Sequence, residues 1–453
     1  MSASRNEPPQ ANSGVRSLQA RSRALLLLAD VAQLTLLCWL DAIIYGEPSW
    51  KWFHWALLIA LPPTYYLGGL YDRTSFQRVD RWIPGLAISA LASGTLIVVV
   101  GFYFGRSADA LHVTALGVTA LISFPFWRIV FERYAFSAAT LHRVLPLVDN
   151  TELQQLSVLF SDNHDNVLIR APFLDEIALN NPDQLVAIAS EHKIHVAVVG
   201  HGWHTNPRLV NALISLRAIG VRVIDLLTAH EEIAERLPLH LLSANWIAVW
   251  LRIDPPESGL RGRLKRGIDV VGTLALAVVL SPPTILAMLL IYLDDGGPVI
   301  YRQKRVGLNG RIFSVLKLRT MRIDAEANGA QWALERDNRV TKFGNFLRRS
   351  RLDEVPQLLN VLRGEMSLVG PRPERPEFTS LLGSQIPFYD LRHLVKPGLS
   401  GWAQVSHPYG ASVDDSRRKL EYDLYYVHHA GPLFDLRILA KTVRVVLLGF
   451  GSR

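Results

Sequence analysis

The sequence predicts an α+β membrane protein in three parts. A four-helix transmembrane bundle leads, a small α/β domain follows, and a mostly helical C-terminal domain sits on a re-entrant membrane hairpin. Three observations predict this. Long apolar runs crowd residues 21–135, short valine-rich runs alternate with helical patterns over 140–250, and two prolines interrupt a later apolar run over 268–293. The composition agrees: 49% of the 453 residues are hydrophobic and 19% charged. That is too apolar for an ordinary soluble chain and too charged for one that is all membrane.

The first 20 residues are mostly polar and are expected to be a disordered tail. Ala24–Tyr45, Trp52–Leu70, Ile83–Phe104 and Ala110–Trp127 then approach the length of about 20 apolar residues that a spanning helix needs. Asp30 and Asp41 interrupt the first run, and Asp30 is expected to make a buried polar contact between helices. Arginines precede the first run, fill the second loop (Arg73, Arg78, Arg81) and follow the fourth run (Arg128, Arg133). The positive-inside rule therefore places the N-terminus, that loop and everything after Trp127 in the cytoplasm. The first run lacks a cleavage pattern, so no cleavable signal peptide is expected. Cys38 is the single cysteine, which excludes disulfides within the chain and cysteine-based metal sites.

In the second part Val144–Val148, Val196–Val199 and Val221–Asp225 read as strands, and Pro207–Ala218 as a helix between them. The turn after the first strand is Val148-Asp149-Asn150-Thr151-Glu152, without the glycines that admit a pyrophosphate, which argues against dinucleotide binding. His201 and His204 read as surface-loop histidines rather than metal ligands.

The third part, over 262–453, opens on the long apolar run. Ser281-Pro282-Pro283 lies in its middle, where proline removes amide donors. Arg261, Arg263, Lys265 and Arg266 precede the run, and Arg302, Lys304 and Arg305 follow it. A crossing helix would strand one basic cluster outside, so a helix–break–helix that enters and leaves on the cytoplasmic face is expected. Ser281 would satisfy a backbone group freed at the break beside Pro282.

Phosphate-suited groups then accumulate: Lys317, Arg319, Arg348, the pair Asp353–Glu354, and Arg372 in the stiff turn Gly370-Pro371-Arg372-Pro373. Pro356 suits the first position of a helix, so the carboxylates would stand at a helix entrance. Of two neighbouring carboxylates, one can bind Mg²⁺ and the other can attack phosphorus. Arginine grips phosphate through paired hydrogen bonds. A net charge of +8 suits anionic lipid surfaces and phosphorylated substrates. No nucleic-acid motif is present, so nucleic acid is not an expected partner. Asp435–Phe450 mixes cations with apolar residues, as in a helix on anionic lipid or an amphipathic core helix.

From about Lys265 onward the chain resembles the bacterial polyprenyl-phosphate hexose-1-phosphate transferases, the monotopic phosphoglycosyl transferases. The resemblance rests on KRGIDVVG (Lys265–Gly272), the Ser281-Pro282 break, RQKRVGLNG (Arg302–Gly310), KLRTM (Lys317–Met321), LDEVPQLLNVL (Leu352–Leu362), GEMSLVGPRPE (Gly364–Glu374), KPGLSGWAQV (Lys396–Val405) and YDLYYV (Tyr422–Val427). The four spans and a degenerate Rossmann-like domain match the family's long form. Arg351, Leu318 and Ser400 depart from the usual serine, phenylalanine and threonine.

The resemblance implies that Asp353 is the nucleophile and that Glu354, beside it, helps bind Mg²⁺. Arg348 and Arg372 would contact phosphate, with Lys317, Arg319 and Asp423 completing the substrate site. The implied reaction moves hexose-1-phosphate from a UDP-hexose, UDP-glucose foremost, to undecaprenyl phosphate. UMP is released, and the product begins exopolysaccharide, capsule or O-antigen synthesis. Expected partners are those substrates, membrane lipids, downstream glycosyltransferases and a second copy of the chain; the expected location is the bacterial inner membrane. The rivals are a Mg²⁺-dependent glycosyltransferase that releases UDP, a non-catalytic scaffold, and a nucleotide-sugar dehydratase that would need the missing glycine turn.

Overall fold

A computed structural model describes residues 15–44, 51–67, 144–162, 184–203, 206–243, 246–248, 259–322, 339–407 and 412–447, with single positions between 89 and 124. The chain divides into two units, Met1–Ala234 and Glu235–Arg453.

In the first unit, α1 (Val15–Ile44) and α2 (Trp52–Leu67) are helices. Helix α1 begins within the stretch expected to be a tail; residues 1–14 lie outside the described ones. Over Leu27–Ile44, α1 is long and apolar enough to cross a membrane. Most of the third and fourth apolar runs lies outside the described residues. Polar groups meet inside the helical part: Asp30 is fully buried, Gln33 Nε2 donates to Ser123 Oγ at 2.7 Å, and His54 Nε2 lies 3.0 Å from Asp41 Oδ2.

The α/β part follows as β1 (Val144–Leu147), α3 (Asn150–Asp162), α4 (Leu185–Glu191), β2 (Val196–Val199), α5 (Pro207–Ala218), β3 (Arg222–Asp225) and α6 (Leu226–Ile233). The strands pair in parallel in the order β1-β2-β3. β1 and β2 are buried at every position, as continuous apolar runs in parallel sheets are. Helix α5 starts where the sequence says, because Asn206 Oδ1 accepts the amides of Arg208 and Leu209 and Pro207 needs no amide partner. His201 lies in the turn after β2; His204 is outside the described residues.

The second unit starts at Glu235. Its first residues are tied into it. Arg437 grips Glu235 through two hydrogen bonds of 2.7 and 2.9 Å, and Trp402 Nε1 donates to the Glu235 carbonyl at 2.9 Å. The elements are α7 (Gly259–Asp295), β4 (Ile300–Val306), β5 (Ile312–Leu318), α8 (Lys342–Arg349), α9 (Gln357–Arg363), β6 (Ser367–Val369), α10 (Pro376–Gln385), β7 (Gly398–Ser400), α11 (Trp402–Ser406), α12 (Val413–His429) and α13 (Pro432–Leu447). β4 and β5 form an antiparallel hairpin; β6 and β7 pair in parallel. On α13, Arg437 and Lys441 stack on the Trp402 ring, so these two cations serve the interior of the unit.

Helix α7 is the apolar run, and it does not break. All 37 residues are helical through Pro282 and Pro283. Pro282 leaves the Val278 carbonyl without its amide, and Ser281 Oγ donates to that carbonyl at 3.0 Å. Thr284 Oγ1 donates to Leu280 O at 2.6 Å. The serine thus has the role read from the sequence, but within a continuous helix. Both ends of α7 dock on the same unit. Near its start Lys265 and Asp269 are buried; near its end Ala287 and Ile291 pack on Leu318 and Leu347. Between them Val271, Leu274, Val278, Val279 and Ile285 stand exposed.

Candidate active site

The Asp353–Glu354 pair occupies a tight turn. Leu352–Glu354 forms one 3₁₀ turn ahead of α9, and Pro356 stands just before that helix rather than at its first position. Arg351 launches the turn from the left-handed region, at φ +59°, which a non-glycine residue adopts only when its surroundings hold it there. Asp353 and Glu354 are 7% and 8% exposed, unusual burial for adjacent acids.

Cations explain how Glu354 tolerates this. Arg372 Nη2 donates to Glu354 Oε1 at 2.8 Å, Lys317 Nζ lies 3.5 Å from the same oxygen, and Arg351 Nη1 lies 3.5 Å from Oε2. Burial alone would push the Glu354 carboxyl up. Arg372, Lys317 and Arg351 together overcome it and hold the group well below the carboxylate range. Asp353 goes the other way: burial and the charge of Glu354 raise it, against Lys317, Arg348 and Arg372. Among the described residues, no side chain donates a hydrogen bond to Asp353. One acid is clamped and ionised; its neighbour keeps its oxygens open. Burial lowers the Lys317 ammonium, and Glu354 opposes that.

Each cation is held by its own element. Lys317 lies on β5, opposite Tyr301 of β4. Arg348 lies in the last turn of α8 and its Nε donates to Thr320 Oγ1 at 3.0 Å. Arg372 rides on the Gly370–Pro373 turn. That turn presses so closely on Lys396-Pro397-Gly398 that a Cβ on Gly370 would meet Lys396 O at 2.3 Å, and one on Gly398 would meet Gly370 N at 2.0 Å. Glycine at both places lets two backbones touch, which accounts for the glycines of the GPRP and KPG segments.

The structure therefore brings Lys317, Arg348 and Arg372 to Asp353 and Glu354. Arg319 follows β5, its amide bonded to Val299 O at 2.9 Å, and is not among the leading charges on either carboxylate. Asp423, on α12, is 2% exposed and accepts from Arg392 Nη2 at 2.8 Å. Burial pushes its carboxyl up to about 6, although Arg392 opposes the rise. The same Arg392 nitrogen donates to the Arg372 carbonyl at 2.9 Å, and Arg392 Nη1 donates to Tyr389 Oη at 2.6 Å. Asp423 thus touches the site through Arg392, which braces the backbone of Arg372. Sequence reasoning missed Arg392 and Tyr389; Arg392 stands between Asp390, Leu391 and His393, a mixed stretch that carries no signal of a buried cation. Ser281 and Pro282 lie in α7 and serve the helix.

Mg²⁺ would be held by Glu354 and Asp353. Two hard carboxylates, one with open oxygens, beside cations that attract phosphate, fit an ion that takes few protein ligands and fills its shell with water and phosphate oxygens.

Residues 260–449 match the family model described as bacterial sugar transferase. A UDP-N-acetylgalactosamine-undecaprenyl-phosphate N-acetylgalactosaminephosphotransferase of Aeromonas hydrophila is 45% identical over 190 residues, 42% of this chain and 45% of that protein. A UDP-glucose:undecaprenyl-phosphate glucose-1-phosphate transferase of Escherichia coli is 35% identical over 268 residues, 58% of this chain and 57% of that protein. A protein of the same name from Caulobacter vibrioides is 41% identical over 185 residues, 40% of this chain and 69% of that protein. The chain belongs to the bacterial sugar transferase family. It spans about half the length of the first two relatives. The matched segment contains α7 from its second residue, both carboxylates and the cations named around them, so the motif resemblance holds at family level.

Proposed function

We propose that this protein transfers a hexose-1-phosphate from a UDP-hexose to undecaprenyl phosphate through a covalent aspartyl phosphosugar. The carrying observation is the asymmetry of the pair: Glu354 is held ionised by three cations while Asp353, adjacent and buried, takes no hydrogen bond from the described residues. The Asp353 carboxylate attacks the β-phosphorus of the UDP-hexose, its oxygen forms the new P–O bond, and UMP leaves with the electron pair of the broken anhydride. A phosphate oxygen of the polyprenyl phosphate then attacks the same phosphorus and displaces Asp353. Each step exchanges one activated phosphoryl bond for another. Lys317, Arg348 and Arg372 balance the negative charge of the diphosphate and of the leaving phosphate. When bound, Mg²⁺ would supply further neutralisation of phosphoryl oxygens.

Helix α7 supports a monotopic attachment. Its exposed apolar middle suits lipid, while both ends return to the unit that holds Asp353. On this reading α7 enters and leaves one leaflet of the bacterial inner membrane, and the catalytic unit faces the cytoplasm. Straight, 37 residues would extend about 55 Å, so on this reading the helix bends at Pro282 and Pro283 without breaking. The product begins a polysaccharide chain that other glycosyltransferases extend. Relatives are named for glucose and for N-acetylgalactosamine, so both UDP-sugars belong in the test. Purified protein, Mg²⁺ and undecaprenyl phosphate with each sugar should release UMP with one of them. Release of UDP would replace this reading with direct glycosyl transfer.

A further inference from the structure

We propose that Arg266 is a positioning residue that fixes the height of the catalytic pair relative to the membrane helix; the proposal rests on the phosphosugar-transfer reading above. Arg266 lies near the start of α7, eight positions ahead of the exposed Leu274. Its guanidinium donates from Nη1 to Val361 O at 2.6 Å and from Nη2 to Leu362 O at 2.7 Å. Both carbonyls belong to the last turn of α9, where free carbonyls and the negative end of the helix dipole favour a cation. Helix α9 has only seven residues, so its other end, next to Glu354, is about 10 Å away. Any movement at one end reaches the other.

Helix α9 does not depend on Arg266 for its place in the catalytic unit. Asn360, fully buried, donates from Nδ2 to Ser314 O at 2.8 Å and accepts from Leu316 N at 3.1 Å. These bonds fasten α9 to β5, the strand of Lys317. The catalytic pair, α9 and Lys317 are thus joined through β5; the end of α7 packs on this assembly through Ala287 and Ile291 against Leu318 and Leu352, and Arg266 is the polar tie that joins the start of α7 to the far end of α9. Lys265 and Asp269 have a different reach. Lys265 Nζ donates to Val369 O at 3.1 Å, and Asp269 Oδ1 accepts from Ser367 Oγ at 2.9 Å and Leu368 N at 3.0 Å. They hold β6, which leads directly to Arg372, so their loss reaches the charge network itself.

The two substrates separate these roles. A water-soluble nucleotide sugar finds Asp353 at any height. The phosphate of a long polyprenyl chain stays at the interface, so the second step needs the pair at the right level.

The test uses full-length Arg266→Met and Arg266→Lys in lipid nanodiscs. Three quantities are measured: UMP released without acceptor, transfer to undecaprenyl phosphate in the bilayer, and transfer to a short-chain, water-soluble polyprenyl phosphate. For R266M we expect UMP release within about two-fold of the parent, bilayer transfer reduced about ten-fold or more, and short-chain transfer close to the parent. R266K should lie between. Should R266M fail to fold, R266K carries the same comparison. An equal fall in both transfers, a parallel fall in UMP release, or no change anywhere would overturn the proposal. A parent protein that releases no UMP would instead refute the reading on which it rests.

Discussion

Two glutamates, each at the start of a helix, have opposite fates in this chain. In the α/β part, Glu152 of α3 is satisfied by backbone. Its Oε1 accepts from His201 N at 2.7 Å and its Oε2 from Asp149 N at 3.2 Å, while Asp149 Oδ1 accepts the Glu152 amide at 2.7 Å. That is a capping box with one extra bond to the turn after β2. The carboxylate lies so close to Gly200 that a Cβ there would meet Oε2 at 1.9 Å. In the C-terminal unit, Glu354 is satisfied by Arg372, Lys317 and Arg351. Amide partners complete a fold and leave no charge to spare. Long cationic side chains instead create a field, and that field also covers Asp353 next door. The helix start alone is common to both; the chemistry lies in who neutralises the acid.

Breaking that contrast at its strong end should have the largest effect. Asp353→Asn should reduce UMP release by about 10⁴-fold, with thermal unfolding close to the parent's, because the nucleophile is lost and little packing changes. Glu354→Gln keeps the shape and removes the charge that Arg372 and Lys317 face. Turnover should fall by about 10²-fold, with a weaker response to added Mg²⁺, measured as rate against Mg²⁺ concentration.

How much of this was legible beforehand depends on how local each cause is. Helix α5 was readable because Asn206 and Pro207 announce it within two residues. The helix entrance at Asp353–Glu354 was readable because its acids and the following apolar run are contiguous. The continuity of α7 was not: two prolines signal a break, and it takes the Ser281 and Thr284 hydroxyls, bonded to Val278 O and Leu280 O, to show the helix carrying on. Arg392 was hidden for another reason. Its partners Arg372 and Asp423 lie 20 and 31 positions away, so no spacing pattern points to it. The pairing of Glu235 with Arg437 was hidden likewise, at 202 positions' separation.

Smaller effects sharpen the contrast. The Asp353 carboxyl is raised above its ordinary value of 3.8 by burial and by Glu354. Attack needs the ionised form, so UMP release should fall, as pH drops, at a higher pH than an ordinary aspartate would give. Arg348 opposes the rise; Arg348→Met should move that acid limb further up, read from the burst of UMP against pH. At the weak end, Glu152→Ala should cost about 1 kcal/mol locally, seen as faster hydrogen exchange over Asn150–Asp162. Transfer in detergent should stay near the parent rate.

The central claim is that one aspartyl oxygen carries the phosphosugar. Its most direct measurement is peptide mass spectrometry of the protein incubated with a UDP-hexose, Mg²⁺ and no lipid acceptor. The account predicts a hexose-phosphate on the peptide containing Asp353, lost when undecaprenyl phosphate is added. Lipid product forming with that peptide never modified, or with the label on another residue, would contradict it.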